Sequence, residues 1–194
     1  ARNKKVIYSK NPHIKLAPAS TTKIMTALVV LKNSSLDKRV AVSKCATRMP
    51  PSKVDIKIGE AYSTGDMLKA LLLNSGNDAS VALAESVAGT EKDFVGMMND
   101  MARRLGCRNT NFRTSNGLPA KGQYSTAYDM ALIVREAVKD KRLLDILSIK
   151  GAEITELNSG RRIKLRNHNK SLWKDTPYLI LGKTGYTIRA RQCF

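Results

Sequence analysis

At 194 residues, 42% of them hydrophobic, the chain suits one domain, or one main domain with a small lobe, around a packed core. A formal net charge of +18 favours anionic partners: nucleic acid, anionic lipid or an anionic cell-wall polymer. The basic residues are scattered from Arg2 to Arg191 and aromatics are only 5%, so no base-stacking platform is visible and nucleic acid is not expected.

No run of roughly 18 apolar residues is present to span a membrane. The N-terminus shows no charged head followed by an apolar run and cleavage site, so the chain reads as cytoplasmic or as a mature or trimmed form. Cys45, Cys107 and Cys193 lie far apart, as do His13 and His168. That spacing offers no zinc site, and no metal or other cofactor is expected. The three cysteines read as small packing residues, with a disulfide left open.

In chain order, Lys4 to Ser9 alternates as a strand and Asn11-Pro12 closes it with turn chemistry. Pro18-Ala19-Ser20 opens an apolar helix running to about Leu31. Residues 36 to 62 look irregular, a small flap or lobe, with short strands expected at Val40-Ala41-Val42 and Val54 to Ile58. Ser63-Thr64-Gly65-Asp66 is a capping box; the helix it opens carries Met67, Leu68, Leu71 and Leu72 on one face and ends at Asn74-Ser75-Gly76. A second helix starts near Asn77-Asp78 and carries Val81, Ala82, Leu83 and Val87. Thr90 to Asp93 makes another box, after which Phe94, Met97, Met98 and Met101 recur as a core stripe until Gly106. Thr126 to Asp129 caps a further helix with Met130, Ile133, Val134 and Ala137 inward. Residues 152 to 167 read as two strands around the turn Asn158-Ser159-Gly160. Tyr178 to Leu181 starts a last strand leading into Gly182-Lys183-Thr184-Gly185. The order predicts an α+β or three-layer fold in a single domain. Its sheet part spans about 1–15 and 150–194, and its helical part about 18–148.

Three short motifs carry chemistry. In Ser20-Thr21-Thr22-Lys23, the three-residue offset puts serine and lysine on one helical face, about 5–6 Å apart at Cβ. A serine at a helix N-terminus sits near the positive end of the dipole, and burial with a second cation would fit the lysine to act as a base. Alone, Ser20 could equally be a plain N-cap. Ser75-Gly76-Asn77 separates two helices; Ser75 is a candidate proton relay, and Asn77 a candidate amide that holds a substrate peptide or orients Lys23. In Lys183-Thr184-Gly185, the glycine lets a substrate backbone approach the strand edge. Lysine and threonine there suit a carboxylate.

In this order the motifs are those of β-lactamases and penicillin-binding proteins. The flanking segments Pro18 to Ala27, Leu72 to Ala79, Asn116-Gly117-Leu118, Tyr124 to Ala127 and Gly182 to Thr187 resemble low-molecular-weight D-alanyl-D-alanine carboxypeptidases over essentially the whole chain. The resemblance implies a β-lactamase/DD-peptidase-like transpeptidase fold, an antiparallel sheet packed with a helical block, here without some edge elements. It implies Ser20 as the acylated nucleophile and Lys23 as its general base. Ser75 would relay a proton to the leaving D-alanine and Asn77 position the substrate amide. Lys183 and Thr184 would hold the terminal carboxylate, and the backbone N–H groups of Ser20 and Tyr186, next to Gly185, would form the oxyanion hole. The implied partners are a peptidoglycan pentapeptide and β-lactam antibiotics. The implied place is outside the cytoplasmic membrane, with peripheral membrane or anionic-wall association in a full-length protein. Asn116 and Gln123 stand where many relatives carry histidine. Relatives also begin one strand earlier and continue beyond Phe194, so a fragment is expected.

Two rivals stand beside this reading. A β-lactamase would need a deacylating glutamate; the nearest match, Thr155-Glu156-Leu157-Asn158, would place that position on Ile154. A non-catalytic cell-wall binder would need no chemistry at Ser20.

Overall fold

The computed structural model describes residues 6, 8–174 and 181–194. Half of the strand expected at 4–9 lies outside them, and Val6, Tyr8 and Ser9 belong to no strand. The chain enters the fold where Leu16 pairs with Ser125, its N–H 2.8 Å from the Ser125 carbonyl. A 3-10 turn over Ala19–Thr22 then leads into α1 (Lys23–Asn33). Ser20 therefore lies on the 3-10 turn, three residues before the start of the α-helix expected to open at Pro18-Ala19-Ser20.

The helix α1 is the axle of the core. Met25, Ala27, Leu28 and Val30 are completely buried, because neighbours cover α1 on every side. Three short elements follow: β1 (Arg39–Ala41), α2 (Lys44–Thr47) and β2 (Ala61–Ser63). β1 and β2 pair antiparallel, Val40 opposite Tyr62. The strand expected at Val54 to Ile58 does not form. The Asp78 carboxylate takes the N–H groups of Val54 and Ile56 that a ladder would need.

Next come α3 (Thr64–Leu73), α4 (Asn77–Ala88) and α5 (Glu91–Arg104). The predicted caps are present: Ser63 Oγ accepts from the Asp66 N–H at 3.0 Å and Thr90 Oγ from the Asp93 N–H at 3.1 Å. Met67, Leu68, Leu71 and Leu73 are fully buried on α3; such side chains stabilise by roughly 1.5–3 kcal/mol each. On α5, Phe94 and Met98 reach the core, while Met97 and Met101 pack at its edge.

The helices α6 (Ala127–Ala137) and α7 (Lys141–Ser148) complete the helical block. Thr126 caps α6 through the Asp129 N–H at 3.1 Å. Ile133 and Ala137 point inward, but Val134, also expected inward, is 42% exposed. β3 (Gly151–Thr155) and β4 (Arg162–Arg166) form the predicted hairpin. Glu156 anchors its turn, accepting from the N–H of Ala61 at 2.9 Å and of Asn158 at 2.8 Å, while Ile154 is fully buried. Of the strand expected at Tyr178 to Leu181, residues 178–180 lie outside the described residues. Leu181 to Thr184 form no strand; a strand begins only at Gly185. There β5 (Gly185–Thr187) pairs antiparallel with β6 (Arg191–Cys193). The α+β class holds, with three two-stranded antiparallel sheets among the described residues.

The cysteines are free and do not share one role. Cys107 is buried, Cys45 is exposed and Cys193 is half-buried, so packing describes only the first fully.

Candidate active site

The three motifs converge on one cleft of about 820 Å³ lined by Ser20, Ser75, Asn77, Thr184, Gly185 and Tyr186 among others. Ser20 is fixed by main chain from both sides. Gly117, at φ +85°, lies so close that a Cβ there would fall 1.8 Å from the Ala19 carbonyl oxygen. Gly185, on the other side, would place a Cβ 2.9 Å from the Ser20 nitrogen. Glycine at these two positions is therefore a requirement of contact, and at 117 also of backbone conformation. The resulting approach sets β5 against the 3-10 turn that carries Ser20.

Lys23 sits behind Ser20, fully buried. Its Nζ donates to Ser20 Oγ at 3.1 Å, to Asn77 Oδ1 at 2.8 Å and to the Asn116 carbonyl at 2.8 Å. Burial, with the charge of Lys183, holds its pKa well below the usual lysine range, and Asp78 opposes that shift. A lysine so placed is well suited to accept a proton from the hydroxyl it touches. Asn77 turns its other end to Pro50, donating from Nδ2 to that carbonyl at 2.9 Å. The amide is thus held with its oxygen toward Lys23.

Ser75 stands between α3 and α4 at φ +59° and opens onto the cleft. Lys183 is 4% exposed and donates to the Thr184 carbonyl at 2.7 Å. Burial brings its pKa down to about 8. Thr184 and Tyr186 line the cleft. Every side chain singled out by the motifs is therefore at this one place.

Sequence reading missed His168. It follows β4, its N–H bonded to the Leu73 carbonyl at 3.1 Å, and it faces the same cleft as Ser75. Burial and the Lys183 charge lower its pKa. Lys170 lines the wall nearby, and among the described residues no Asp or Glu lines the cleft. An isolated histidine in the sequence gave no sign of this proximity. His13, the other one, stacks against Tyr128 with ring centroids 5.1 Å apart. Among the described residues, no three His, Cys, Asp or Glu side chains gather as a metal site would require.

Known proteins resemble this chain in sequence and fold. The chain is 40% identical over 196 aligned residues to the D-alanyl-D-alanine carboxypeptidase DacF of Bacillus subtilis, covering 97% of this chain and 49% of that protein. Among solved structures, a D-alanyl-D-alanine carboxypeptidase from Mycobacterium tuberculosis superposes with a TM-score of 0.89 at 33% identity, over 97% of this chain and 70% of that one. The Streptomyces K15 DD-transpeptidase superposes with a TM-score of 0.88 at 29% identity, over 96% and 77%. The chain spans about half the length of the first curated relatives it matches. The match to the family description runs from residue 1 to residue 194, and the chain belongs to the S11 peptidases, the D-alanyl-D-alanine carboxypeptidase family.

Proposed function

We propose that the protein is a serine DD-carboxypeptidase that removes the terminal D-alanine from peptidoglycan stem peptides. The observation that carries this is the Lys23 ammonium site: a buried lysine, its pKa held low, in contact with the hydroxyl of Ser20. In the reaction, neutral Lys23 takes the Ser20 proton as Oγ attacks the carbonyl carbon of the penultimate D-alanine. The backbone N–H groups of Ser20 and Tyr186 stabilise the oxyanion. Ser75 passes a proton to the leaving nitrogen, the C–N bond breaks, and D-alanine departs. Water then hydrolyses the Ser20 ester. Lys183 and Thr184 hold the substrate's terminal carboxylate and Asn77 the peptide amide. Among the described residues the cleft wall carries Lys170 and no acidic side chain, which supports an anionic substrate.

Penicillins present a similar carboxylate and acyl group, and the same serine should be acylated by them. The substrate places the enzyme outside the cytoplasmic membrane, in cell-wall metabolism, as one domain over residues 1–194. The charge of +18 fits attraction to anionic wall polymer or lipid headgroups. The nearest match for a β-lactamase's deacylating glutamate does not serve, because Ile154, at the matching position, is sealed in the core, and Glu156 is occupied in the hairpin turn.

The test is labelling of the full-length protein with a fluorescent penicillin, followed by peptide mass spectrometry and an assay of D-alanine release from a pentapeptide. A slowly hydrolysed adduct on Ser20, absent in Ser20→Ala, together with D-alanine release, is expected. No adduct and no release would remove the enzyme reading. Rapid turnover of the penicillin would replace the peptidase with a lactamase.

A further inference from the structure

Two of the three acceptors around Lys23 are side chains of the recognised motifs, but the third is the backbone carbonyl of Asn116. A carbonyl is placed only by the path of its chain, and residues 112–120 contain no helix or strand. Something else must fix that path.

Ser115, the residue before it, is fully buried and tied at each polar group. Its N–H and its hydroxyl both donate to Glu91 Oε1, at 2.9 and 2.7 Å. Its Oγ also accepts from Ser80 Oγ at 3.0 Å, and its carbonyl accepts from Thr26 Oγ. Gln123 braces the other side: Oε1 accepts from the N–H groups of Arg113 and Thr114, each at 3.0 Å, and Nε2 donates to the Leu118 carbonyl at 2.7 Å. Between these braces lie Asn116, against Lys23, and Gly117, against the Ala19 carbonyl. Any slackening of the segment is therefore passed to both the lysine and the serine backbone.

We propose that Glu91 is a positioning residue for the reaction: through Ser115 it holds the Asn116 carbonyl against Lys23. This rests on the reading of Lys23 as the base for Ser20. The simpler role for an acid in the first turn of α5 is to favour the helix dipole. That role does not require the carboxylate to reach another segment, and the end of α5 is already capped by Thr90 with Asp93. Glu91 instead spends one oxygen on two bonds to a buried serine 24 positions away. The charges acting on Lys23 are those of Lys183 and Asp78, so Glu91 acts through geometry, and an uncharged acceptor of the same shape should replace it.

The experiment follows acylation of the full-length protein by a fluorescent penicillin over a range of concentrations, separating the binding constant from the maximal acylation rate. Rates are corrected to the folded fraction from thermal unfolding. Glu91→Ala should lower the maximal rate by about tenfold or more with little change in binding, as a small misplacement of reacting groups does. Glu91→Gln should recover the rate to within about twofold, since its carbonyl oxygen accepts the same bonds. Asp93→Ala, which weakens the cap at the same helix end, should lower the unfolding temperature and leave the rate per folded molecule unchanged. Should Glu91→Ala fail to fold, Ser115→Ala, which keeps the N–H bond and loses the hydroxyl one, is the substitute and should slow the same step. An unchanged rate in Glu91→Ala or in Ser115→Ala, a Gln variant as slow as Ala, or an Asp93→Ala variant equally slowed would each overturn the proposal. A wild type that is never acylated would overturn the Ser20 reading itself, and this proposal with it.

Discussion

Lys23 and Lys183 are both lysines driven into the interior beside one cleft, yet their surroundings differ. Lys23 has three acceptors drawn from three separate segments. Lys183, among the described residues, has the carbonyl of its own neighbour Thr184. The first is held in place by the protein alone. An ammonium offers three donors, of which one is used among the described residues, and burial of Lys183 makes an incoming anion worth more than it would be in water. One region of the site is complete before substrate arrives. The other is completed by it.

If that contrast is right, Lys23→Ala has the largest effect. Removing the proton acceptor should slow acylation of Ser20 by about 10²–10⁴-fold, with penicillin affinity nearly kept. Pre-steady-state labelling separates the two, and a variant that acylates at the normal rate would remove Lys23 from the chemistry.

Lys183→Ala should act in the opposite column, weakening capture of a carboxylate-bearing peptide by about tenfold or more. It also carries a pH signature. Lys183 lowers the Lys23 pKa, so its loss should let that pKa rise and move the acid limb of the acylation profile to higher pH. In the wild type, Lys183 titrates near 8. Below that it is an ammonium and binds the carboxylate; as pH rises through 8 it becomes neutral, and peptide binding should fall. The alkaline limb should be missing from the variant. Profiles of kcat/KM against pH for both proteins check this, and an unmoved acid limb would separate the two lysines electrically.

The smallest effect belongs outside the site. Ser63→Ala removes the cap of α3 and should cost about 1 kcal/mol of stability, seen as a lower unfolding temperature, with the Ser20 acylation rate unaltered. Distance from Lys23 and Lys183, rather than loss of structure in general, then separates the two kinds of effect.

The caps at Ser63, Thr90 and Thr126 were legible because a hydroxyl and an acid three positions on are a local arrangement. The three short motifs at the cleft were legible for the same reason, each fitting within four residues. What escaped depends on partners far along the chain. Val54 to Ile58 alternates like a strand, but the Asp78 carboxylate competes for its N–H groups. Ser20 looked helical, yet its backbone takes a 3-10 turn between two glycines from distant segments. Val134 follows the helical period of α6 but remains exposed. The helix α7 was readable from Leu143, Ile146 and Leu147 and went unread. His168, Glu91 and Ser115 belong to no motif, and only the folded chain brings them to the cleft or behind it.

On the proposed function, the clasp of Gly117 and Gly185 around the Ser20 backbone also limits how the site could escape an antibiotic. Neither contact can be altered by exchanging one side chain for another, since no side chain fits. A lineage under penicillin selection would find that route closed. Its accessible variation lies on the cleft wall, at positions such as His168, Lys170 and Tyr186, where a change can bias which acyl group is admitted while the nucleophile stays where main chain has put it.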